Sequence, residues 1–225
     1  MDFDIITIFP GVFDSYFKES IIKRAQERKK IRIKIHNLRD FSSGRHRKVD
    51  DRQFGGGPGM VMYAEPIVKA VEFAKSKSRS KPAGRLTKVV LFAPGGKQFD
   101  DKAAHKLAKE SQIIMVCGHY EGVDERVEKT LKDLKIKTEK YSIGPYVLTG
   151  GELAAMVLVD SVSRKIPGVL GKEESLEEKR LGIGVPVYTR PAVFKHKGKK
   201  YEVPKILLSG DHKKIEDWRK KHKEV

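Results

Sequence analysis

The sequence predicts an α/β domain with a mostly parallel sheet. Three observations carry that reading. Short apolar runs ("FDIITIF", "KVVLF", "IIMVC") are too uniformly hydrophobic for strands with one wet face. Segments of helical period alternate with them. Several of the runs stop at a proline or a glycine turn, as strands feeding βα loops do.

In chain order, "FDIITIFP" (Phe3 to Pro10) reads as a buried strand ended by proline. "VFDSYFKESIIKRAQERKK" places Phe13, Phe17, Ile21 and Ile22 at helical spacing. "IRIKIHNLRDF" alternates apolar and basic residues and reads as a strand. "DDRQFGGGPGMVM" (Asp50 to Met62) follows the basic stretch "GRHRK" (Gly44 to Lys48) and reads as an irregular glycine-rich loop. Phe54, Met60, Val61 and Met62 are costly to expose, so this loop is expected to pack against something, RNA or a second subunit. "EPIVKAVEFAKSKS" is a helix and "SRSKPAGR" a loop. "KVVLFAPGG" is a second buried strand, and "DDKAAHKLAKES" a helix whose two opening acids suit the positive end of its dipole. "IIMVCGHYEG" is a further buried strand and "DERVEKTLKDL" a helix. "KTEKYSIG" leads into a glycine-punctuated segment, and a smooth helical pattern then starts at Glu152.

Beyond Arg164 the texture changes. "KIPGVLGKEESLEEKRLGIGVPVYTRP" mixes proline, glycine and charge without a clean period. The expected organisation is a main domain over residues 1–168, a flexible linker over 169–188 that is mobile from Gly171 to Pro186, and a small helical C-terminal domain over 189–225. The last part ends in a helix carrying the sole tryptophan, Trp218, with Asp211 or Ser209 as its cap.

The 225 residues, 39% hydrophobic and 34% charged, suit a globular chain rather than a disordered one. The apolar runs are too short to span a bilayer. "MDFDIITIFPG" carries acids where a signal peptide has basic residues. One cysteine, Cys117, allows no intrachain disulfide, so a cytoplasmic setting is expected. The net charge of +17 favours a polyanionic partner, because basic side chains on a phosphate backbone release condensed counterions.

Three strands end in glycine turns: "FAPGGK" (Phe92 to Lys97), "CGHYEG" (Cys117 to Gly122) and "SIGPYVLTGG" (Ser142 to Gly151). Ligands of parallel α/β sheets bind beyond the carboxyl ends of the strands, and glycine lets backbone groups approach them. None of the turns is a GxGxxG dinucleotide or GxxxxGK[ST] phosphate loop. The seven histidines show no metal spacing, and CxxC and HExxH are absent, so no metal site is expected from the residues. Cys117 lies in a buried strand without an evident base and does not read as a nucleophile.

Together, "DDRQFGGGPGMVM", "CGHYEGVDER", "SIGPYVLTGGELAAM", "RKIPGVLG", "VYTRP" and "LLSGDHKKIEDWR" resemble the bacterial tRNA (guanine-37 N1) methyltransferase family, TrmD, over almost the whole chain and in the family's order. The resemblance implies a SPOUT-type fold, with the C-terminal part of the sheet tied in a deep trefoil knot, and an obligate homodimer with active sites between subunits. It implies methyl transfer from S-adenosylmethionine to N1 of guanine 37, beside the anticodon of tRNA, with the C-terminal domain binding the tRNA. Two other readings share these motifs: an S-adenosylmethionine-binding RNA module without catalysis, and a related SPOUT methyltransferase with another RNA target.

By the same resemblance Ile143, Gly144, Pro145, Tyr146, Val147 and Leu148, with Gly118, wrap S-adenosylmethionine, and Pro94, Gly96, Glu121, Gly150 and Gly151 lie close by. Arg164 matches a family arginine that stabilises charge developing on guanine O6. Guanine N1 holds a proton at neutral pH, so a carboxylate is needed as base. The chain departs from the family twice. Pro145 stands where an aspartate is usual and removes a backbone donor. Lys179 aligns with the family's catalytic linker aspartate, which shifts the base to Glu178, with Glu177 and Glu174 as alternates. The family also implies Mg²⁺, although no carboxylate cluster identifies a site.

Overall fold

The computed structural model describes residues 1–77, 87–170 and 185–222. The chain divides into two compact units, Met1–Val169 and Leu170–Val225.

The first unit is a five-stranded sheet. β1 (Asp2–Thr7), β2 (Arg32–Asn37), β5 (Thr87–Gln98), β6 (Gln112–Val116) and β7 (Lys137–Ser142) lie in the order β2-β1-β6-β5-β7. Every pairing is parallel. All carboxyl ends therefore share one edge of the sheet. Helices cover both faces, as a parallel sheet requires. The strand period of two sorts the core: Phe3, Ile5, Ile113 and Met115 join one buried cluster, while Ile6, Ile8, Ile114 and Val116 join the other. The first cluster takes in α2 (Ser20–Glu27), α4 (Asp101–Leu107) and α6 (Glu152–Ser163) through Ile22, Leu107 and Leu158. The second takes in α3 (Ala64–Ser76) and α5 (Arg126–Asp133) through Ile67, Val71, Val127 and Leu131. Each such aliphatic side chain contributes about 1.5–3 kcal/mol by leaving water.

Several elements differ from expectation. The single helix expected after β1 is a 3-10 turn (Pro10–Phe13), a one-turn α1 (Asp14–Phe17) and α2. The break falls at Lys18 and Glu19, where Glu19 is extended (φ −120°, ψ 155°), and Ser20 opens α2 with a φ of 46°. "DDRQFGGGPGMVM" is a hairpin: β3 (Asp50–Arg52) pairs antiparallel with β4 (Met60–Met62). Its loop turns through Gly55, Gly56, Gly57 and Gly59, all at positive φ. Met62 is fully buried, whereas Phe54 at the tip is 98% exposed. "KTEKYSIG", read only as a lead-in, supplies β7. It has no apolar run because only Tyr141 and Ser142 are buried, while Thr138, Glu139 and Lys140 are half-buried, with Glu139 and Lys140 pairing with cations and acids nearby.

β5 does not stop at its glycine turn. Phe92 and Lys97 both pair with Tyr141, so Ala93–Gly96 bulges outward and the strand resumes. A Cβ on Gly96 would sit 2.7 Å from the Tyr141 carbonyl carbon, so only glycine lets the strand return there. Asp100 caps α4 by accepting from the Ala103 N–H at 2.7 Å.

In the second unit the expected helix stands beside a hairpin that the sequence did not predict. The unit's described part holds an antiparallel hairpin, β8 (Val193–His196) with β9 (Lys199–Glu202), a 3-10 turn (Lys205–Leu208) and one α-helix, α7 (His212–Lys221). Lysines on both faces of the hairpin hide the strand period in the sequence. Asp211 caps α7 through the Lys214 N–H at 3.1 Å.

Candidate active site

The carboxyl edge of the sheet carries a cleft of about 240 Å³. Three segments build it, one beyond each of β5, β6 and β7. From β5 come Phe92, Ala93 and Pro94, and from β6 comes Gly118 to Val123. From β7 come Tyr141 to Gly144, Tyr146 to Gly151, and then Ala154 on α6.

The segments are laced by their backbones. The Gly151 N–H donates to the Gly118 carbonyl at 3.0 Å, and His119 bridges Gly150 antiparallel. The Glu121 N–H donates to Met60 O at 3.0 Å and the Asp124 N–H to Met62 O at 3.1 Å, which ties the β3–β4 hairpin to the wall after β6. The loop after β7 closes on itself: the Ser142 hydroxyl donates to Gly144 O at 2.9 Å and the Tyr146 hydroxyl to Ile143 O at 3.2 Å. Such a wall presents fixed backbone donors and acceptors beside apolar side chains, the make-up of a small-molecule pocket.

Two glycines are set by close approach. A Cβ on Gly151 would meet Cys117 Cα at 2.7 Å. One on Gly150 would meet His119 Cε1 at 2.3 Å and Glu152 Oε2 at 2.5 Å. Of the residues expected around a cofactor, Pro94, Gly118, Glu121, Ile143, Gly144, Tyr146, Val147, Leu148, Gly150 and Gly151 line this one cleft. Gly96 lies behind it against β7, and Pro145 points outward, exposed. Arg164 lies not in the cleft but in a neighbouring groove with Tyr16, Leu153, Val157 and Asp160. Ile143, Tyr146 and Leu148 belong to both cavities and form the wall between them. Glu174, Glu177, Glu178 and Lys179 lie outside the described residues.

Sequence reasoning missed a buried polar group under the cleft. Glu152, 8% exposed, accepts from the Thr7 hydroxyl at 2.6 Å, and both its oxygens lie 2.8 Å from His119 Nε2. Thr7 Oγ1 in turn accepts the Phe9 N–H at 2.9 Å, and Phe9 packs edge-on against the imidazole. The available signal was one acid opening the otherwise apolar helix "ELAAMVLV".

Behind the cleft, the Tyr141 hydroxyl donates to Glu139 at 2.6 Å, beside Lys88 at 2.6 Å and Lys106 at 2.9 Å. Burial opposes ionisation of Glu139, but hydrogen bonds from Lys88, Tyr141 and Lys106 outweigh it and bring its carboxyl down to about 2. Burial, then Glu139, pushes the Tyr141 hydroxyl well above its ordinary range, so it stays a neutral donor. Burial, then Glu152, likewise pushes the Cys117 thiol up, which suits packing and not nucleophilic attack.

Among the described residues no cluster of three or more His, Cys, Asp or Glu could hold a metal ion. No helix among them is long and apolar enough to cross a membrane.

The family model described as tRNA (Guanine-1)-methyltransferase TrmD matches residues 1–225. Relatives named tRNA (guanine-N(1)-)-methyltransferase include one from Dehalococcoides mccartyi, 46% identical over 98% of this chain and 85% of its own. One from Geotalea uraniireducens is 48% identical over the same shares, and one from Bacillus cereus 47% identical over 100% and 86%.

Proposed function

The chain belongs to the TrmD family of tRNA (guanine-1)-methyltransferases, and from that premise we propose that it transfers a methyl group from S-adenosylmethionine to N1 of guanine 37 in tRNA. The observation that carries the reading is the backbone-lined cleft at the carboxyl edge of β5, β6 and β7, where the motifs that resemble the family's cofactor loops converge.

S-adenosylmethionine fits this donor set. Its adenine and ribose present many hydrogen-bonding groups, and the loop from Ile143 to Leu148 with Gly118, Gly150 and Gly151 presents backbone partners in an apolar cleft. When bound it supplies an electrophilic sulfonium methyl, so no protein nucleophile is required. Pro94 and Glu121 would border it, whereas Gly96 supports β7 from behind and Pro145 leaves one backbone donor fewer. Mg²⁺ finds no carboxylate cluster among the described residues, and no step is assigned to it.

The remaining chemistry is on guanine. Glu178 accepts the N1 proton, with Glu177 and Glu174 as alternates, and Arg164 opposes the negative charge that grows on O6. A homodimer is supported by α6, which is apolar outward as well as inward: Leu153 is 58% and Val157 46% exposed, beside Val147 at 81%. The groove that holds Arg164 lies on that face, so a second copy covering it would bring the arginine to a shared site. The closeness of Gly151 to Cys117 and of Gly96 to Tyr141 supports a trefoil knot, since chain segments pass one another there without room for a side chain. The C-terminal unit is read as tRNA-binding and the enzyme as cytoplasmic.

The test is tritiated methyl transfer from S-adenosylmethionine to tRNA transcripts that carry guanine or adenine at position 37. Label on the guanine transcript alone supports the reading. Equal label on both would move the target, and none with intact cofactor binding would favour a non-catalytic RNA module.

A further inference from the structure

The β8–β9 hairpin exposes something a soluble hairpin usually hides. Phe194 pairs with Tyr201 across the strands, and His196 pairs with Lys199 two steps nearer the turn. Residues two apart share a face, so Phe194, His196, Tyr201 and Lys199 lie on one side. Phe194 remains 54% and Tyr201 51% exposed. Their ring centroids are 5.7 Å apart at 32°, and the Phe194 and His196 rings stack at 6.1 Å and 18°. The result is a small aromatic platform with one open side.

The platform is stiff. Lys197 and Gly198 form the turn with φ of 45° and 76°, the positive pair that a two-residue hairpin turn needs. At the other end the Val203 N–H donates to Ala192 O at 3.0 Å. Lys199 shares the rings' face, Lys197 sits in the turn, and Lys195 and Lys200 pair on the opposite face, with Glu202 the single acid between Val193 and Glu202. None of these four lysines forms an ion pair with a described residue. Four unneutralised cations penalise an apolar protein partner and favour phosphate. Aromatic rings beside phosphate-binding lysines are the arrangement that holds unpaired bases, because a base inside a duplex offers no free face.

We propose that the Phe194–Tyr201 face is a stacking site for an unpaired base of the tRNA, with the hairpin lysines on the flanking phosphates. The proposal rests on the methyltransferase reading and adds to it a site for a second nucleotide, on the C-terminal unit.

The test uses the full chain and three ligands: a tRNA transcript, measured also over a salt series, a blunt RNA duplex, and S-adenosylmethionine. Phe194→Leu/Tyr201→Leu keeps an apolar cross-strand pair but removes the π-faces, and Phe194→Trp/Tyr201→Trp keeps them. The leucine pair should weaken tRNA binding by roughly 5- to 150-fold, the range associated with one stacked base. It should leave the duplex affinity, the salt slope and S-adenosylmethionine binding at parental values. The tryptophan pair should retain parental tRNA affinity. Lys195→Ala/Lys199→Ala should instead flatten the salt slope, by about one for each phosphate no longer neutralised. Parental tRNA binding by the leucine pair would overturn the proposal, as would equal losses in the leucine and tryptophan pairs or an equal loss on duplex. A parent protein that binds no tRNA at all would overturn the methyltransferase reading along with it.

Discussion

His119 Nε2 lies 2.8 Å from both carboxylate oxygens of Glu152, and the same carboxylate receives the Thr7 hydroxyl at 2.6 Å. One buried acid therefore joins the end of β1, the turn after β6 and the start of α6. Replacing Glu152 by alanine strands a buried hydroxyl and an imidazole, each formerly satisfied. The expected loss is about 1–3 kcal/mol per stranded group, read as a lower urea midpoint with an unchanged m-value. Glu152→Gln keeps an acceptor for Thr7 and should lose less. Parental stability in Glu152→Ala would show that these bonds do not hold the edge together.

Gly150 and Gly151 are adjacent yet should fail differently. The obstacles to a Cβ on Gly150 are the side chains of His119 and Glu152, which can swing into the cleft. Gly150→Val should therefore fold and lose S-adenosylmethionine binding. The obstacle at Gly151 is Cys117 Cα at 2.7 Å, which is backbone and cannot yield. Gly151→Ala should cost roughly 1–3 kcal/mol as overpacking does. Calorimetry and thermal melts separate the two, and unchanged cofactor affinity in folded Gly150→Val would remove the cofactor from this cleft.

The same pair of glycines marks how far the sequence could be read. The parallel sheet was legible because β1, β5 and β6 each carry an apolar run (Ile5–Ile6, Val89–Phe92 and Ile113–Val116), as burial on both faces demands. The cleft was legible because its three glycine turns had to share one edge once the strands were parallel. β7 was not, since "KTEKYS" owes its place to ion pairs and to pairing with β5. The β3–β4 and β8–β9 hairpins were hidden by glycine in one and by lysine on both faces of the other. Within the site, spacing along the chain does not separate Gly96, which serves the β5 bulge, from Gly150, which borders the cleft. The Thr7–Glu152–His119 group joins residues up to 145 positions apart and has no local pattern at all.

Acid should find Glu139 early. Its carboxyl is depressed from the ordinary 4.5 to about 2 by Lys88, Tyr141 and Lys106 acting against burial. A depressed folded value means stability that is present above about 4.5 and is lost as pH falls from there toward about 2. Glu139→Gln should remove that part of the acid limb. At neutral pH it should cost up to about 3 kcal/mol, because Lys88, 7% exposed at its side chain, loses its counter-charge. Denaturation midpoints of parent and variant between pH 2 and 7 would show the two curves converging at the acid end. Curves that stay parallel would mean the group titrates alike folded and unfolded.

Binding of tRNA should be strongly electrostatic. With a net charge of +17, neutralising six to ten phosphates would weaken binding by roughly 10³-fold or more between 50 and 200 mM salt. Filter binding across that range tests it. A flat line would mean that the excess lysines serve only the free protein's surface.

The base of the reaction is the sharpest step to test, because by the family resemblance Lys179 is expected at the position of the linker aspartate. A protonated lysine cannot accept the guanine N1 proton, and the adjacent Glu178 is the nearest replacement along the chain. Glu178→Gln keeps size and polarity and removes only the basicity. It should leave S-adenosylmethionine and tRNA affinities unchanged and slow single-turnover methyl transfer by roughly 10²–10⁴-fold, the usual contribution of a general base. Glu177→Gln and Glu174→Gln should matter far less. Arg164→Ala should also slow the chemical step, by lost stabilisation at O6, and should lower the rate at every pH. Glu178→Gln should instead flatten the rising acid limb of the rate profile, since its carboxylate must be ionised to act. A parental rate in Glu178→Gln with a slow Glu177 or Glu174 variant would shift the assignment along the linker. Parental rates in all three would place the proton on water or on an acid outside the linker.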